Sequence, residues 1–61
     1  MPVVNIKLVE GRTVEQKREL VKQVTAAIVN SIGVPESSVW ISIDDMKAEN
    51  FAQAGVLRCD K

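Results

Sequence analysis

A strand gives way to a helix within one short stretch of this sequence, Leu8-Val9-Glu10-Gly11-Arg12-Thr13-Val14-Glu15-Gln16-Lys17. Upstream of the break at residues 10–12, the alternation of residues 3–9 places Val4, Ile6 and Leu8 on one face of an extended strand. Downstream, Thr13 stands three residues before Gln16, which is the spacing of a capping box at a helix start. The stretch therefore predicts a strand over 3–9 and a helix that begins at residue 14.

The predicted helix runs from residue 14 to residue 32, because apolar residues recur there at helical spacing. Its predicted inner face consists of Leu20, Val21, Val24, Ala27, Ile28 and Ile32. Gly33 suits the left-handed position that ends many helices, and Pro35 prevents the helix from continuing.

A second strand is predicted over 39–44, where apolar residues alternate with Trp40, Ser42 and Asp44. The remaining tail is predicted as a short turn or loop over 47–54, a turn at Gly55 and a short strand at residues 56–57. No repeat, linker or low-complexity segment interrupts the chain, so we expect a single domain over residues 1–61.

Strand, helix and strand in this order form a βαβ unit, of the α/β (α+β) class, with parallel strands joined by a right-handed crossover. One helix covers only one face of a two-stranded sheet, whereas parallel sheets are normally buried on both faces. The second face carries Val3, Val9 and Trp40. These residues need a partner, so the sequence predicts one subunit of an oligomer.

Composition supports self-association and excludes several classes of protein. The chain has 61 residues, of which 46% are hydrophobic, and a chain this short is marginally stable alone. With one cysteine and no histidine, it offers neither an internal disulfide nor a structural zinc site, and we expect no metal. Eight basic and eight acidic residues give no net charge, which argues against a nucleic-acid partner. No membrane span or signal peptide is visible, so we expect a cytoplasmic protein.

The absence of histidine and tyrosine limits acid–base chemistry to a carboxylate, a lysine, the cysteine or a chain terminus. Pro2 is the terminal candidate, because the initiator methionine is generally removed before a small second residue. The secondary amine would then sit directly on a strand, where an apolar pocket or a nearby guanidinium lowers its pKa. Alternatively, the Met1-Pro2 start has no functional meaning.

Other candidate residues each have a structural alternative. Arg12 lies at the corner where parallel α/β units present their ligands and can bind a carboxylate, or it is a solvated loop charge. Phe51 is either a core anchor or a pocket wall, and Trp40 is expected to pack at an interface. The pair at residues 44–45 is interpreted as a solvated strand end, and Cys59 as incidental.

Taken together, these residues resemble the 4-oxalocrotonate tautomerase family of the tautomerase superfamily. The resemblance covers nearly the whole chain: a Met-Pro start on a strand, the run from Leu8 to Lys17, Gly33-Val34-Pro35 after the helix, a second strand reaching Met46, and Phe51 and Gly55 in the tail. The run at a fixed distance from an N-terminal proline is the specific part of this pattern.

The resemblance implies a βαβ subunit with a short C-terminal hairpin, assembled as a homohexamer that is a trimer of dimers. It implies an isomerase that needs no cofactor or metal, in which Pro2, freed of Met1, is the base that moves a proton in an enol or dienol acid to give the ketone. Arg12 corresponds to the residue that binds the substrate carboxylate. By the same resemblance, Phe51 corresponds to a residue of the apolar wall that lowers the proline pKa, and Val9 stands near that wall. The resemblance also implies that these residues come together from neighbouring subunits.

One position departs from the family pattern. Members that act on the dicarboxylate 2-hydroxymuconate carry a second arginine where this sequence has Trp40. Because an indole offers one N–H and no charge, a smaller or more apolar substrate such as an arylenolpyruvate or a monoacid dienol fits better. Hydrolytic dehalogenation ranks lower, since Val9 and Gln53 stand near the places where the dehalogenase relatives carry an arginine and a glutamate.

A different class of function stays open beside the tautomerase. The chain could be a catalytically silent scaffold or a small-acid-binding protein of the same fold. Arg12 would then still bind acids, but no enol would turn over faster than in buffer.

Overall fold

The computed structural model describes residues 1–61 and confirms a βαβ unit followed by a short hairpin. Its regular elements are β1 (Val3–Val9), α1 (Val14–Ile32), β2 (Trp40–Met46), β3 (Ala52–Gln53) and β4 (Val56–Leu57). Three short 3₁₀ turns lie between or after them, at Glu36–Ser38, Ala48–Asn50 and Arg58–Asp60.

The two long strands pair in parallel along their whole length, from Val3 opposite Trp40 to Val9 opposite Met46. Half-buried and exposed residues alternate over residues 3–8 of β1 and 40–44 of β2, as the sequence predicted, and the alternation breaks at the carboxyl end of each strand. Leu8 of β1 and Leu20 of α1 line one shared cavity, so the helix packs on the half-buried face of the sheet. β3 and β4 form a separate antiparallel pair.

Both predicted helix ends are confirmed by their capping contacts. The Gln16 backbone N–H donates to Thr13 Oγ1 at 3.1 Å, and the Thr13 N–H donates to Gln16 Oε1 at 2.9 Å. At the other end, Gly33 adopts a φ of 73° and donates its N–H to the Val29 carbonyl at 3.0 Å. Free backbone groups at both ends of α1 are therefore satisfied by local sequence.

The structure corrects three details of the sequence-based expectation. β2 begins at Trp40 and ends at Met46, rather than spanning 39–44, because it pairs with β1 as far as Val9. The segment predicted as a turn or loop over 47–54 contains a 3₁₀ turn and strand β3. On α1, Ala27 and Ile32 are exposed rather than part of an inner face.

The isolated chain has no fully buried residue. Its dimensions are 43 × 23 × 13 Å, and large apolar side chains stay in contact with solvent. Val3 is 72% exposed and Trp40 is 58% exposed, both on the sheet face away from the helix. None of the helices is both long and apolar enough to cross a membrane.

Candidate active site

Pro2 and Trp40 lie together at the amino end of the sheet, where β1 and β2 begin. The Trp40 N–H donates to the Pro2 carbonyl at 3.0 Å, which extends the parallel pairing by one step beyond Val3. Pro2 is half-buried, whereas Met1 is 80% exposed. The ring of Pro2 is thus attached to a fixed strand end, while the residue before it is accessible to solvent.

Val9 and Arg12 lie at the carboxyl end of the sheet, where β1 ends and the chain turns into α1. Arg12 is exposed and lines a cavity of about 200 Å³ together with Leu8, Gln16, Lys17 and Leu20. Lys17 pairs with Asp45, whereas the Arg12 guanidinium makes no hydrogen bond or ion pair within the chain. Arg12 therefore has all its donors available for an anionic group.

Phe51 follows the Ala48–Asn50 turn, beyond the carboxyl end of β2, and it is half-buried. Its carbonyl accepts a hydrogen bond from the Arg58 N–H at 2.8 Å, which ties the two sides of the hairpin together. The ring of Phe51 is therefore carried by a braced hairpin.

A single chain does not bring the predicted site residues together. A strand rises by about 3.3 Å per residue, so Pro2 and Val9 lie about 23 Å apart along β1. Pro2 and Trp40 occupy the amino end of the sheet, while Val9 and Arg12 occupy the carboxyl end, with Phe51 in the segment that follows β2 from that end. Within one chain the predicted site residues thus fall into two separate groups, which we call half-sites.

Sequence reasoning missed the contacts that fasten the segment after β2 to the corner around Arg12. The Glu10 carboxylate accepts a hydrogen bond from the Ala48 N–H at 2.9 Å, and the Glu10 N–H donates to the Met46 carbonyl at 2.8 Å. The ion pair between Lys17 and Asp45 fastens the end of β2, just before this segment, to α1. No local signal could reveal these contacts, because the partners are far apart in sequence.

The paired carboxylates near the end of β2 are both exposed, which confirms the solvated strand end expected from the sequence, and each also has a partner within the chain. Asp44 accepts a hydrogen bond from the Asn5 side chain at 3.2 Å, while Asp45 pairs with Lys17. No group of three or more cysteine, aspartate or glutamate side chains is arranged to hold a metal ion. Cys59 is exposed, and its thiol donates a hydrogen bond to Asp60 Oδ1 at 3.9 Å.

Comparison with known proteins identifies the family to which the chain is similar. Residues 2–60 match the model of the tautomerase enzyme family. A protein of Staphylococcus saprophyticus named as a probable tautomerase is 43% identical over 61 residues, which is 100% of both chains.

Solved structures agree with this match. The crystal structure of YwhB, a homologue of 4-oxalocrotonate tautomerase, is 40% identical with a TM-score of 0.92, and the match covers 98% of both chains. A heterohexameric 4-oxalocrotonate tautomerase of Chloroflexus aurantiacus is 28% identical with a TM-score of 0.92, over 98% of this chain and 97% of that one. With a family match over nearly its full length and relatives at about 40% identity, this chain belongs to the tautomerase family.

Proposed function

We propose that this protein is a cofactor-independent enol–keto tautomerase that uses Pro2, after loss of Met1, as its general base. The observation that carries the proposal is the position of Pro2, half-buried at the start of β1 with its carbonyl held by the Trp40 N–H. A secondary amine there has no side-chain torsions, so its position is set by the strand. Met1 is exposed and hence accessible for removal.

The proposed reaction moves one proton from oxygen to carbon. The neutral Pro2 amine accepts the proton of the enol hydroxyl, and the resulting ammonium returns a proton to the substrate carbon, so the ketone forms and the amine is regenerated. Such a base works best when its pKa lies near the working pH. Apolar surroundings lower the pKa of an amine by disfavouring its charged form, and this is the role we assign to Phe51 and, beside it, Val9.

Arg12 is the proposed clamp for the substrate carboxylate. Its guanidinium has no partner within the chain and faces a cavity large enough for a small acid, and a planar guanidinium can hold a carboxylate through two parallel hydrogen bonds. Binding at that end fixes the substrate relative to the base, which converts a random encounter into an oriented one.

We further propose that the site is completed by several copies of the chain in a homohexamer, arranged as a trimer of dimers. The half-sites lie about 23 Å apart within one chain, a gap that no small enol acid spans. The lack of any fully buried residue supports assembly, as do the exposed Val3 and Trp40 on the uncovered sheet face. Symmetric closure would cover this face and bring the amino end of one sheet toward the carboxyl end of another.

The proposed substrate is a small enol with one carboxylate, such as an arylenolpyruvate or a monoacid dienol. Arg12 supplies one guanidinium, whereas Trp40 at the other half-site is uncharged and can contact an apolar or aromatic group. A dicarboxylate would leave its second charge without a cationic partner from Trp40.

Replacing Pro2 with alanine tests the proposal through the ketonisation of phenylenolpyruvate. Alanine keeps the carbonyl that bonds to the Trp40 N–H, so the fold should persist while kcat/KM falls by about 10²–10³. Pro35→Ala, a proline change outside the site, should retain turnover. Intact mass of the parent protein should show loss of Met1. Retention of Met1, or a Pro2→Ala variant as fast as the parent, would overturn the proposal.

A further inference from the structure

The corner between β1 and α1 is fastened to the segment after β2 by Glu10. Its backbone N–H continues the strand pairing by donating to the Met46 carbonyl at 2.8 Å. Its side chain reaches further, and Oε2 accepts a hydrogen bond from the Ala48 N–H at 2.9 Å. Ala48 is the first residue of a 3₁₀ turn, where a backbone N–H lacks a partner within the turn. Glu10 thus holds the point at which this turn begins.

A second contact comes from the helix and holds the end of β2, just before this segment. Lys17, in the early part of α1, pairs with Asp45 near the end of β2, and the lysine side chain is 26% exposed against 42% for the aspartate. Pairs this accessible contribute little to stability because water screens them. Of the two contacts, only the bond from Glu10 is made to the turn itself.

Glu10 is linked to both residues that the proposed reaction needs at this end of the sheet, to one along the chain and to the other through the turn. Arg12 follows it by two residues, across Gly11, whose φ of 121° permits the sharp bend. Phe51 caps the turn that starts at Ala48, so a shift of the turn's start moves the ring that follows its end. The Glu10 carboxylate thereby joins the segment that carries Arg12 to the segment that carries Phe51.

We propose that Glu10 is a positioning residue that fixes the spacing between Arg12 and Phe51 through its hydrogen bond to the Ala48 N–H. The inference rests on the proposed tautomerase function and adds to it a residue that does not touch the substrate. This role requires a side chain long enough to bring an acceptor oxygen to the Ala48 N–H, and it does not require a negative charge. A displacement of about 1 Å in a positioned group can cost about 10² in rate, so loss of the bond should be visible in turnover.

Two variants distinguish the effect of the length of the Glu10 side chain from the effect of its charge. Glu10→Asp keeps the carboxylate but shortens the side chain by one methylene, so it no longer reaches the Ala48 N–H. Glu10→Gln keeps the length and a carbonyl oxygen that can accept the bond, but it loses the charge. We expect Glu10→Asp to lower kcat at least tenfold on phenylenolpyruvate with KM changed less than about twofold, since Arg12 still binds the carboxylate. Glu10→Gln should stay within about threefold of the parent in both constants.

Glu49→Asp is the matched control, because Glu49 lies in the same turn and its carboxylate makes no hydrogen bond. It should behave as the parent does, and light scattering should give one assembly mass for all variants. Equal kinetics in Glu10→Asp and the parent would overturn the assignment, as would a Glu10→Gln variant as slow as Glu10→Asp. If turnover by the parent does not depend on Pro2, the proposed function is wrong, and the positioning role of Glu10 fails with it. If turnover depends on Pro2 but is unaffected by Glu10→Asp, only the positioning role of Glu10 is wrong.

Discussion

Trp40 bonds to Pro2 through its backbone, so its side chain is not needed for this contact. The N–H bonds to the Pro2 carbonyl at 3.0 Å, while the residue as a whole is 58% exposed on the uncovered face of the sheet. Substitution of the indole therefore leaves the backbone bond in place. This separation makes Trp40 a suitable residue for testing substrate preference without disturbing the strand that carries the base.

Trp40→Arg should shift preference toward dicarboxylate enols. A guanidinium at this half-site would pair with the second carboxylate, and a charge-assisted contact of this kind should raise the ratio of dicarboxylate to monocarboxylate kcat/KM by about tenfold or more. Steady-state kinetics on 2-hydroxymuconate and phenylenolpyruvate measure the ratio. Trp40→Met, which removes the ring without adding charge, should not raise it. An unchanged ratio in Trp40→Arg would place this side chain outside the pocket.

At the scale of elements, the sequence predicted most accurately those helix and strand ends that are determined by residues nearby in the sequence. The bounds of α1 are confirmed because Thr13 with Gln16 caps one end and Gly33 the other, all within a few positions of the helix. The alternation pattern alone placed the end of β2 too early, at residue 44, whereas the family resemblance extended the strand to Met46, as observed. The length of this strand depends on its pairing with β1, which continues to Met46. The turn that starts at Ala48 was predicted only as a turn or loop, since its N-terminal acceptor comes from Glu10.

Gly33→Ala should weaken the end of α1 without affecting the site. Gly33 has a φ of 73°, and an added Cβ would meet no atom within 4 Å, so the cost is the left-handed backbone alone. We expect a loss of about 1–2 kcal/mol in the free energy of unfolding, measured in urea at one fixed protein concentration. Ser31→Ala, in the last turn of the helix, serves as the control, and kcat/KM should be the same in all three proteins. A Gly33→Ala variant as stable as the parent would contradict the capping role.

At the scale of the whole molecule, the chain has the secondary structure of a folded domain but lacks an enclosed core. None of its residues is fully buried, and the sheet has one helix on one face and none on the other. The residue types of the candidate site could be predicted from the sequence, because Pro2 and Arg12 stand out by position and chemistry. Their spatial relation could not be predicted from the sequence pattern, since one chain separates them by the length of β1.

The claim that one site takes Pro2 from one copy and Arg12 from another is tested most directly by mixing two inactive variants. Pro2→Ala and Arg12→Ala chains, each slow alone on phenylenolpyruvate, are unfolded together in equal amounts and refolded. When the chains mix at random, about a quarter of all sites that draw their two residues from different chains will hold both intact residues, so we predict about a quarter of the parent's kcat/KM. Activity no higher than that of the two separate variants would contradict the account, because a site built within one chain can never regain both residues by mixing.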